Sequence, residues 1–228
     1  MTYKILPGDV AQVLKTGWLS ERGEKFQKAA LKMAVLRTFS DGEMLYHYGD
    51  RAEGLYAIVT GSVRVAAPAD DGQEFTAHRG GIGFWIGDLA MLSDQTRLIS
   101  LQAVGDVRTL MLKNSEILEL VRKTPEFYKD FYALTHNNMK TALRIMANLA
   151  VQRADQRLAL RLLHLAETAH DHEGWIKASQ EEISSMIAAS LPTLQRILRR
   201  FSDSGYVEIG YGRIRVKDRK ALLALCQS

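Results

Sequence analysis

The residue types best suited to binding chemistry lie near the C-terminus of the chain. Residues 190–220 contain eight lysines and arginines against three acidic residues, a net charge of +5, whereas residues 1–150 have a net charge of only +1. Arginine pairs with phosphates and with guanine edges, and glutamine and threonine hydrogen-bond to bases. On charge alone, this segment is either a solvated surface or a contact for the phosphate backbone of a nucleic acid.

Two short helices joined by a tight turn are predicted around these charges. Ser179 and Glu182 form a Ser-x-x-Glu capping box that opens the first helix. Ser190 is predicted to cap the second helix, with Pro192 in its first turn. The second helix has a buried face of Leu191, Leu194, Ile197, Leu198 and Phe201 and an exposed face of Thr193, Gln195, Arg196, Arg199 and Arg200. This pattern is typical of a helix-turn-helix, whose second helix enters the major groove of DNA.

A β-hairpin is predicted to follow the second helix. Tyr206–Ile209 and Arg213–Val216 flank the turn Gly210-Tyr211-Gly212, and Arg213 and Arg215 alternate onto one side. The alternative is a plain helical pair with a solvated charged face, but this wing and the local charge favour DNA binding. The candidate DNA contacts are Ser179, Gln180, Ser190, Pro192, Thr193, Gln195, Arg196, Arg199, Arg200 and Arg213.

Glycine and proline divide the rest of the chain into a β-rich part and a helical part. Ten of the 17 glycines fall between Gly42 and Gly105, whereas residues 126–173 contain neither glycine nor proline. The first forty residues are predicted to be helical, with Phe26, Ala29, Ala30, Met33 and Leu36 at helical spacing. The predicted strands are Leu45–His47, Leu55–Val59, Ser62–Ala67, Phe75–His78, Ile99–Ala103 and Val107–Leu112, with a hairpin turn at Asp70-Asp71-Gly72. Short strands with regular turns indicate a small barrel or roll.

A long helix with two apolar stripes is predicted after Pro125. One stripe consists of Phe127, Phe131 and Leu134, and the other of Met139, Ala142, Met146 and Leu149. Two stripes indicate two partners, the β-rich part of the same chain and the same helix of a second copy. The alternative is a single broad core face. A further helix is predicted over Asp155–Thr168, followed by a polar turn at Ala169–Gly174.

These segments together resemble the cyclic-AMP receptor protein/fumarate–nitrate regulator (CRP/FNR) family. The resemblance rests on Phe39–Tyr46, Gly49-Asp50, Gly54–Tyr56, Gly61–Val65 and Gly81–Leu92 in the first half, and on Arg157–Leu163, Gln180–Gly205 and Gly210–Asp218 in the second. It implies an α+β fold. Residues 1–124 would form a β-roll, like the jelly roll of cyclic-nucleotide-binding domains, with N-terminal helices. Residues 125–153 would be a dimerisation helix, and 154–228 a winged helix-turn-helix.

The resemblance also implies an effector site in the β-roll. By position it would contain Trp85, Gly87, Asp88, Leu89, Arg97 and Leu98. Asp88 is one methylene shorter than the family's glutamate, and Leu98 stands where nucleotide binders have a small or hydroxyl residue. Ala142 and Leu143 stand where the cyclic-AMP receptor has hydroxyls. Cyclic AMP is therefore not expected to be the effector. The alternatives are an ion pair of Arg97 with Asp88 or Asp94, or a less polar effector lined by Trp85 and Phe84.

The second helix of the helix-turn-helix departs from the family pattern too. Leu191 and Pro192 replace the family's leading arginine and glutamate, whereas Arg196 matches its later base-reading arginine. Ala188 stands in the turn where glycine is usual. The DNA target is therefore expected to differ from the family's usual half-site.

Composition and motifs exclude several other classes. The chain is 46% hydrophobic and 25% charged, which is ordinary for a globular protein. It has no apolar run of the ~18 residues that a membrane span needs and no signal peptide, so a cytoplasmic location and no membrane partner are expected. The single cysteine, Cys226, cannot form an intramolecular disulfide or alone hold zinc or an iron–sulfur cluster.

Neither a metal site nor a catalytic site is predicted. His170 and His172 are too few for a metal site, and His78 is a candidate haem ligand for which a structural role is the simpler interpretation. The glycine-rich Gly80–Gly83 lacks the lysine of a phosphate-binding loop, and no nucleophile–base motif appears, so the chain is not expected to be an enzyme.

The sequence therefore predicts a homodimeric transcription regulator that binds a palindromic operator in double-stranded DNA. Its affinity for DNA would be modulated by an unidentified effector in the roll, with a cyclic nucleotide less favoured. RNA polymerase is a further candidate partner, and no cofactor is predicted. The alternative is a regulator with a silent roll, controlled by abundance alone. A scaffold that binds no DNA is less favoured because of the wing and the arginines.

Overall fold

The computed structural model describes residues 5–69, 74–91, 93–168 and 173–226. These residues form two compact units. The first comprises Met1–Glu74 and Gly80–Lys140, and the second comprises Phe75–Arg79 and Thr141–Ser228.

The first unit begins with helices and changes to strand earlier than the sequence predicts. Helix α1 (Pro7–Lys15), a 3₁₀ turn (Trp18–Glu21) and helix α2 (Glu24–Lys32) are followed by strand β1 (Ala34–Phe39). The helical prediction is therefore wrong at Leu36, which lies opposite Leu110 in the sheet. The prediction failed because a spacing of three or four residues in a short window also fits the end of a helix followed by a strand.

Two long strands dominate the sheet of the first unit. Strand β3 (Gly54–Pro68) and strand β6 (Ser100–Lys113) are antiparallel neighbours, β1 lies on the other side of β6, and the short strands β2 (Met44–Tyr46) and β5 (Trp85–Ile86) pair with β6 and β3. Strand β4 (Glu74–Gly80) follows β3 along the chain. The hairpin turn predicted at Asp70-Asp71-Gly72 lies outside the described residues.

Each long strand replaces two strands that the sequence predicts as separate. The break falls at Gly61 in β3, which has φ +76°, and at Gly105 in β6, which has φ +70°. A Cβ at Gly61 would lie 2.5 Å from the Asp106 carbonyl oxygen. The glycine therefore lets two long strands bend together without ending, and the register shifts at this point.

The core of the first unit is aromatic at the place where the long helix joins it. Trp18 lies within 5.1–5.8 Å of the rings of Phe26, Trp85 and Phe131. Helix α3 (Asn114–Lys123), which the sequence analysis did not predict, leads through a 3₁₀ turn (Pro125–Phe127) into the 22-residue helix α4 (Tyr128–Leu149). The predicted buried stripe of Phe127, Phe131 and Leu134 is confirmed.

The second unit contains the predicted helix-turn-helix and wing. Its elements are α5 (Ala154–Thr168), β7 (Trp175–Lys177), α6 (Gln180–Met186), α7 (Leu191–Asp203), β8 (Val207–Gly210), β9 (Arg213–Val216) and α8 (Arg219–Leu225). The three strands form a sheet in the order β7-β9-β8. Strand β7 and helix α8 were not predicted. The predicted fold class is confirmed: a β-rich N-terminal part, a long helix and a C-terminal helix-turn-helix.

Candidate DNA interface and effector site

The predicted capping box fixes the start of α6. The Glu182 amide donates to Ser179 Oγ at 3.1 Å, and the Ser179 amide donates to Glu182 Oε2 at 2.8 Å. Arg79, which belongs to the second unit, also donates to both carboxylate oxygens of Glu182 at 2.8 and 2.7 Å. Helix α6 therefore begins at a defined residue, with its first-turn amides oriented.

The turn between α6 and α7 is strained and is held from α5. Ala188 has φ +47°, in the left-handed region that favours glycine. The Arg157 guanidinium donates to the carbonyl oxygens of Ile187 at 2.7 Å and Ala188 at 3.3 Å. Sequence reasoning did not identify Arg157 as a support of the turn, because the two positions are 30 residues apart.

Helix α7 shows the predicted faces but not the predicted cap. Leu194, Ile197, Leu198 and Phe201 are buried, as expected. Ser190 occupies the cap position, but its hydroxyl donates to Thr193 Oγ1 at 2.9 Å and makes no cap bond to the backbone. The predicted side-chain cap is therefore wrong, because the Thr193 hydroxyl competes for the same group. Across the turn, Gln195 Nε2 donates to Gln180 Oε1 at 3.2 Å.

The arginines of α7 differ in their partners. Arg196 and Arg199 are exposed and make no hydrogen bond or ion pair within the described ranges. Arg200 Nη2 instead lies 2.7 Å from Asp155 Oδ2. Hydrogen bonds from Arg153 and then Arg200 lower the pKa of Asp155 to about 2, so this carboxylate is charged at neutral pH. The positive charge open to a polyanion on α7 is therefore that of Arg196 and Arg199.

The wing forms at the predicted place. Strands β8 and β9 pair through Gly210 and Arg213, and Tyr211 at the turn is fully exposed. Arg213 and Arg215 share one side, as predicted, because both guanidinium groups lie over the Trp175 ring. Pro192 is exposed at the start of α7, whereas Ser179 and Gln180 are half-buried at the start of α6.

In the first unit, Arg97 is bound by its own chain. Its side chain is 3% exposed, and the guanidinium donates to the carbonyl oxygens of Gly87 at 2.9 Å and Gly54 at 2.7 Å. It also lies 4.2 Å from the centre of the Tyr46 ring. The ion pair of Arg97 with Asp88 or Asp94 that the sequence analysis kept open is not formed, since the two backbone carbonyls take its donors.

Asp88 is tied to the long helix instead. Asn138 Nδ2 of α4 donates to Asp88 Oδ1 at 2.6 Å and to the Trp85 carbonyl at 3.1 Å. Burial raises the pKa of Asp88, an effect that the Asn138 hydrogen bond opposes. Asn138 was not identified from the sequence, because an asparagine on a helix has no distinctive local signal.

The six predicted effector residues do not converge on one pocket. Gly87, Asp88 and Arg97 lie together, but Trp85 is 2% exposed in the core, and Leu89 and Leu98 are 47% and 56% exposed. Leu98 therefore does not fill interior space as expected. A cavity of about 340 Å³ is lined by Leu45, Tyr46, Asp50, Arg51, Glu53, Tyr56 and Arg97, so it shares only Arg97 with the predicted set.

The candidate haem ligand His78 lies in a buried cluster of the second unit. Its ring stacks on His164 with centroids 5.7 Å apart, and its Nδ1 is 3.3 Å from Arg161 Nη2. Burial and the Arg161 charge lower the pKa of His78 well below its usual value. These contacts occupy the ring and support a structural role. His170 and His172 lie outside the described residues.

The second stripe of α4 is exposed in the single chain. Met139 and Met146 are 47% and 65% exposed, Ala142 is exposed, and Leu149 is half-buried. Tyr132 and Leu143, at 70% and 55% exposure, extend the stripe and were not predicted as part of it. The seven-residue spacing of Tyr132 from Met139 was the available signal. A single broad core face is therefore ruled out within the chain.

Comparison with known proteins agrees with both units. Residues 36–124 match the family model of the cyclic nucleotide-binding domain, and residues 156–225 match that of the Crp-like helix-turn-helix domain. The chain is 30% identical over 200 residues to the transcriptional regulator SdrP of Thermus thermophilus, covering 84% of this chain and 94% of that protein. It is 27% identical to the cyclic AMP receptor protein of the same organism, covering 85% and 88%.

A solved structure shares the fold at lower identity. FixK2 from Bradyrhizobium japonicum superposes with a TM-score of 0.76 at 22% identity, covering 84% of this chain and 96% of FixK2. No helix in the described ranges is long and apolar enough to cross a membrane.

Proposed function

Because this chain belongs to the CRP/FNR family of DNA-binding transcription regulators, we propose that it acts as a homodimer and reads a palindromic operator with helix α7. The observation that carries the proposal is the exposed face of α7, where Arg196 and Arg199 have no protein partner within the described ranges. A cytoplasmic location agrees with binding to DNA. RNA polymerase, which a promoter-bound regulator meets, is the third proposed partner.

The positions on α7 support a division of labour between base edges and backbone. Thr193 and Arg196 are three residues apart and Arg200 is four further on, so they share one stripe. In a helix-turn-helix the N-terminal half of the second helix meets base edges, and its far end meets the backbone. Arg196 would bind the O6 and N7 atoms of a guanine, and Arg200 would exchange its exposed ion pair for a phosphate.

The exposed stripe of α4 supports the dimer. Tyr132, Met139 and Met146 recur every seven residues, with Ala142 and Leu149 between them at the other seam position. Large apolar side chains in a contiguous exposed row usually mark an interface, and this spacing suits a parallel pair of helices. Two-fold symmetry then predicts half-sites about 34 Å apart, one helical turn of DNA.

For the β-roll we propose an effector other than cyclic AMP. A nucleotide phosphate would need the Arg97 guanidinium, which already donates to two carbonyl oxygens. The cavity beside Arg97 supports a small polar effector, since two carboxylates and two tyrosines line it. The second candidate is a silent roll with control by abundance. It is supported by the same two bonds, because they satisfy Arg97 without any ligand.

Selection of bound duplexes from a random pool, with and without cell extract, tests the proposal. A palindromic site with half-sites one turn apart is expected, with enrichment that changes on adding extract if an effector exists. Enrichment independent of extract would favour the silent roll, and a thermal shift with candidate metabolites would check that outcome. A pool without any enriched sequence would contradict the DNA-reading role.

A further inference from the structure

The wing carries a tryptophan that contacts two arginine guanidinium groups. The Cζ atoms of Arg213 and Arg215 lie 4.2 and 4.7 Å from the centre of the Trp175 ring. Trp175 is 6% exposed, and its Nε1 donates to Glu173 Oε2 at 3.0 Å. Strand β7 brings the ring into place, because Trp175 pairs directly with Arg215 of β9. The ring is thus fixed by the sheet and by a hydrogen bond.

The two arginines are not equivalent electrostatically. Arg215 donates to Glu208 Oε2 at 3.2 and 2.5 Å, and Lys217 lies 3.9 Å from the same oxygen. This bond from Arg215 is the main reason that the pKa of Glu208 is lowered. Arg213 has no hydrogen bond or ion pair in the part of the chain that the structure describes. The ring contact leaves the N–H groups of Arg213 available.

Gly210 makes room for this arrangement. A Cβ at Gly210 would lie 3.0 Å from both Cγ and Nε of Arg213 and 3.5 Å from the Trp175 ring. The first two distances are shorter than ordinary van der Waals contact, so a side chain here would push Arg213 off the ring. The conformation of Gly210 does not itself require glycine, because its φ is not positive. The close approach of Arg213 is therefore the reason for a glycine.

We propose that Trp175 is a positioning residue, which holds the Arg213 guanidinium in one orientation for a phosphate of the operator backbone. This inference rests on the proposed DNA-binding function. A free arginine side chain loses rotamer entropy when it binds, whereas one already stacked on a fixed ring loses less. Arg215 holds the other side of the arrangement, and its charge is taken by Glu208. The contact is to the backbone and adds affinity without sequence preference.

Binding of the selected operator at several salt concentrations tests the role of Trp175. Arg213→Ala should weaken binding and reduce the slope of log K against log salt by about one. Trp175→Leu should weaken binding about two- to fivefold, with a nearly unchanged slope because the charge of Arg213 remains. Trp175→Phe, which keeps an aromatic face, should stay closer to the wild type than Trp175→Leu.

A double-mutant cycle separates positioning from a purely structural role. If Trp175 acts through Arg213, the Trp175→Leu change should have no further effect on binding once Arg213→Ala is present. Additive losses would overturn the proposal. Gly210→Ala gives a second route, since it displaces Arg213 and leaves Trp175 in place, and it should also have no further effect in the Arg213→Ala background. If Trp175→Leu fails to fold, the Gly210→Ala cycle decides.

The outcome also distinguishes this inference from the proposed function. Wild-type affinity for the operator in Arg213→Ala and Trp175→Leu, together with a loss in Arg196→Ala, would overturn the positioning role alone. Absence of operator binding by the wild type would overturn both.

Discussion

At the scale of single residues, each arginine acts according to the partner it finds. Arg97 is bound by two carbonyl oxygens, Arg200 by Asp155 and Arg215 by Glu208, whereas Arg196 has no such partner within the described ranges. A guanidinium without a protein partner keeps its full set of donors for an external ligand. Arg196 is therefore the residue best placed to discriminate between bases.

Arg196→Ala should weaken operator binding by about 1–3 kcal/mol and relax the preference at one base pair in each half-site, because two hydrogen bonds to a guanine are lost. Binding curves for single-base operator variants measure this. Arg200→Ala is the comparison variant and should weaken all sequences alike. Arg122→Ala, which removes an exposed charge on α3, is the control. An equal loss on every operator variant with Arg196→Ala would show that this arginine contacts only phosphate.

Ala188→Gly should stabilise the protein by about 1 kcal/mol, because alanine at φ +47° carries a steric cost that glycine lacks. Chemical denaturation measures the change. Ala189→Gly is the matched control, since the φ of Ala189 is not positive and glycine there should be neutral or destabilising. Equal effects of the two substitutions would count against strain in the turn.

At the scale of elements, helix α4 has one face in the core and one face uncovered in the single chain. Met146→Glu should convert the proposed dimer into monomers with weak DNA binding, because it brings two like charges together across the two-fold axis. Sedimentation velocity measures the change. Lys140→Glu is the control, since it adds a carboxylate to α4 outside the stripe. A stable, DNA-competent dimer of Met146→Glu would exclude this interface.

The histidine cluster of the second unit should make its stability depend on pH. Burial lowers the pKa of His78 well below 6.5 and, aided by Arg144 and Arg161, lowers that of His164 to about 4. The unfolded chain then takes up protons first as the pH falls, so stability that is fully present above pH 6.5 is lost towards pH 4.

Urea unfolding at pH 7 and pH 5 measures this loss. His164→Gln should reduce the difference between the two pH values, whereas the same change at the exposed His136 should leave it unaltered. An identical pH dependence in wild type and His164→Gln would refute the assignment to this cluster.

At the scale of the whole molecule, the open question is what reaches the DNA-binding unit from the roll. Calorimetric titration with cyclic AMP should give no micromolar binding, and operator affinity should not change on adding it, because Arg97 is engaged and Ala142 and Leu143 offer no hydroxyl. Stoichiometric micromolar binding that tightens operator binding would disprove this. If another anion binds at this site, Arg97→Ala should abolish its binding.

The local features of this protein could be predicted from its sequence. The capping box at Ser179, the two faces of α7, the wing and the apolar stripes of α4 depend on residues within one or two turns of each other, so spacing alone carries the information. The long strands were predicted as pieces because Gly61 and Gly105 resemble turn signals, and only the bend that the paired strands share shows that they continue.

The partners of charged groups were decided by the tertiary structure alone. Arg97 bonds to a carbonyl 43 residues away, Arg200 pairs with an aspartate 45 residues away, and Trp175 meets Arg213 and Arg215 only because β7 joins the wing strands. Sequence spacing identifies which residues are charged and which helix face they share. Whether a charge is already satisfied depends on contacts between distant segments, and that decides which arginines remain free to bind DNA.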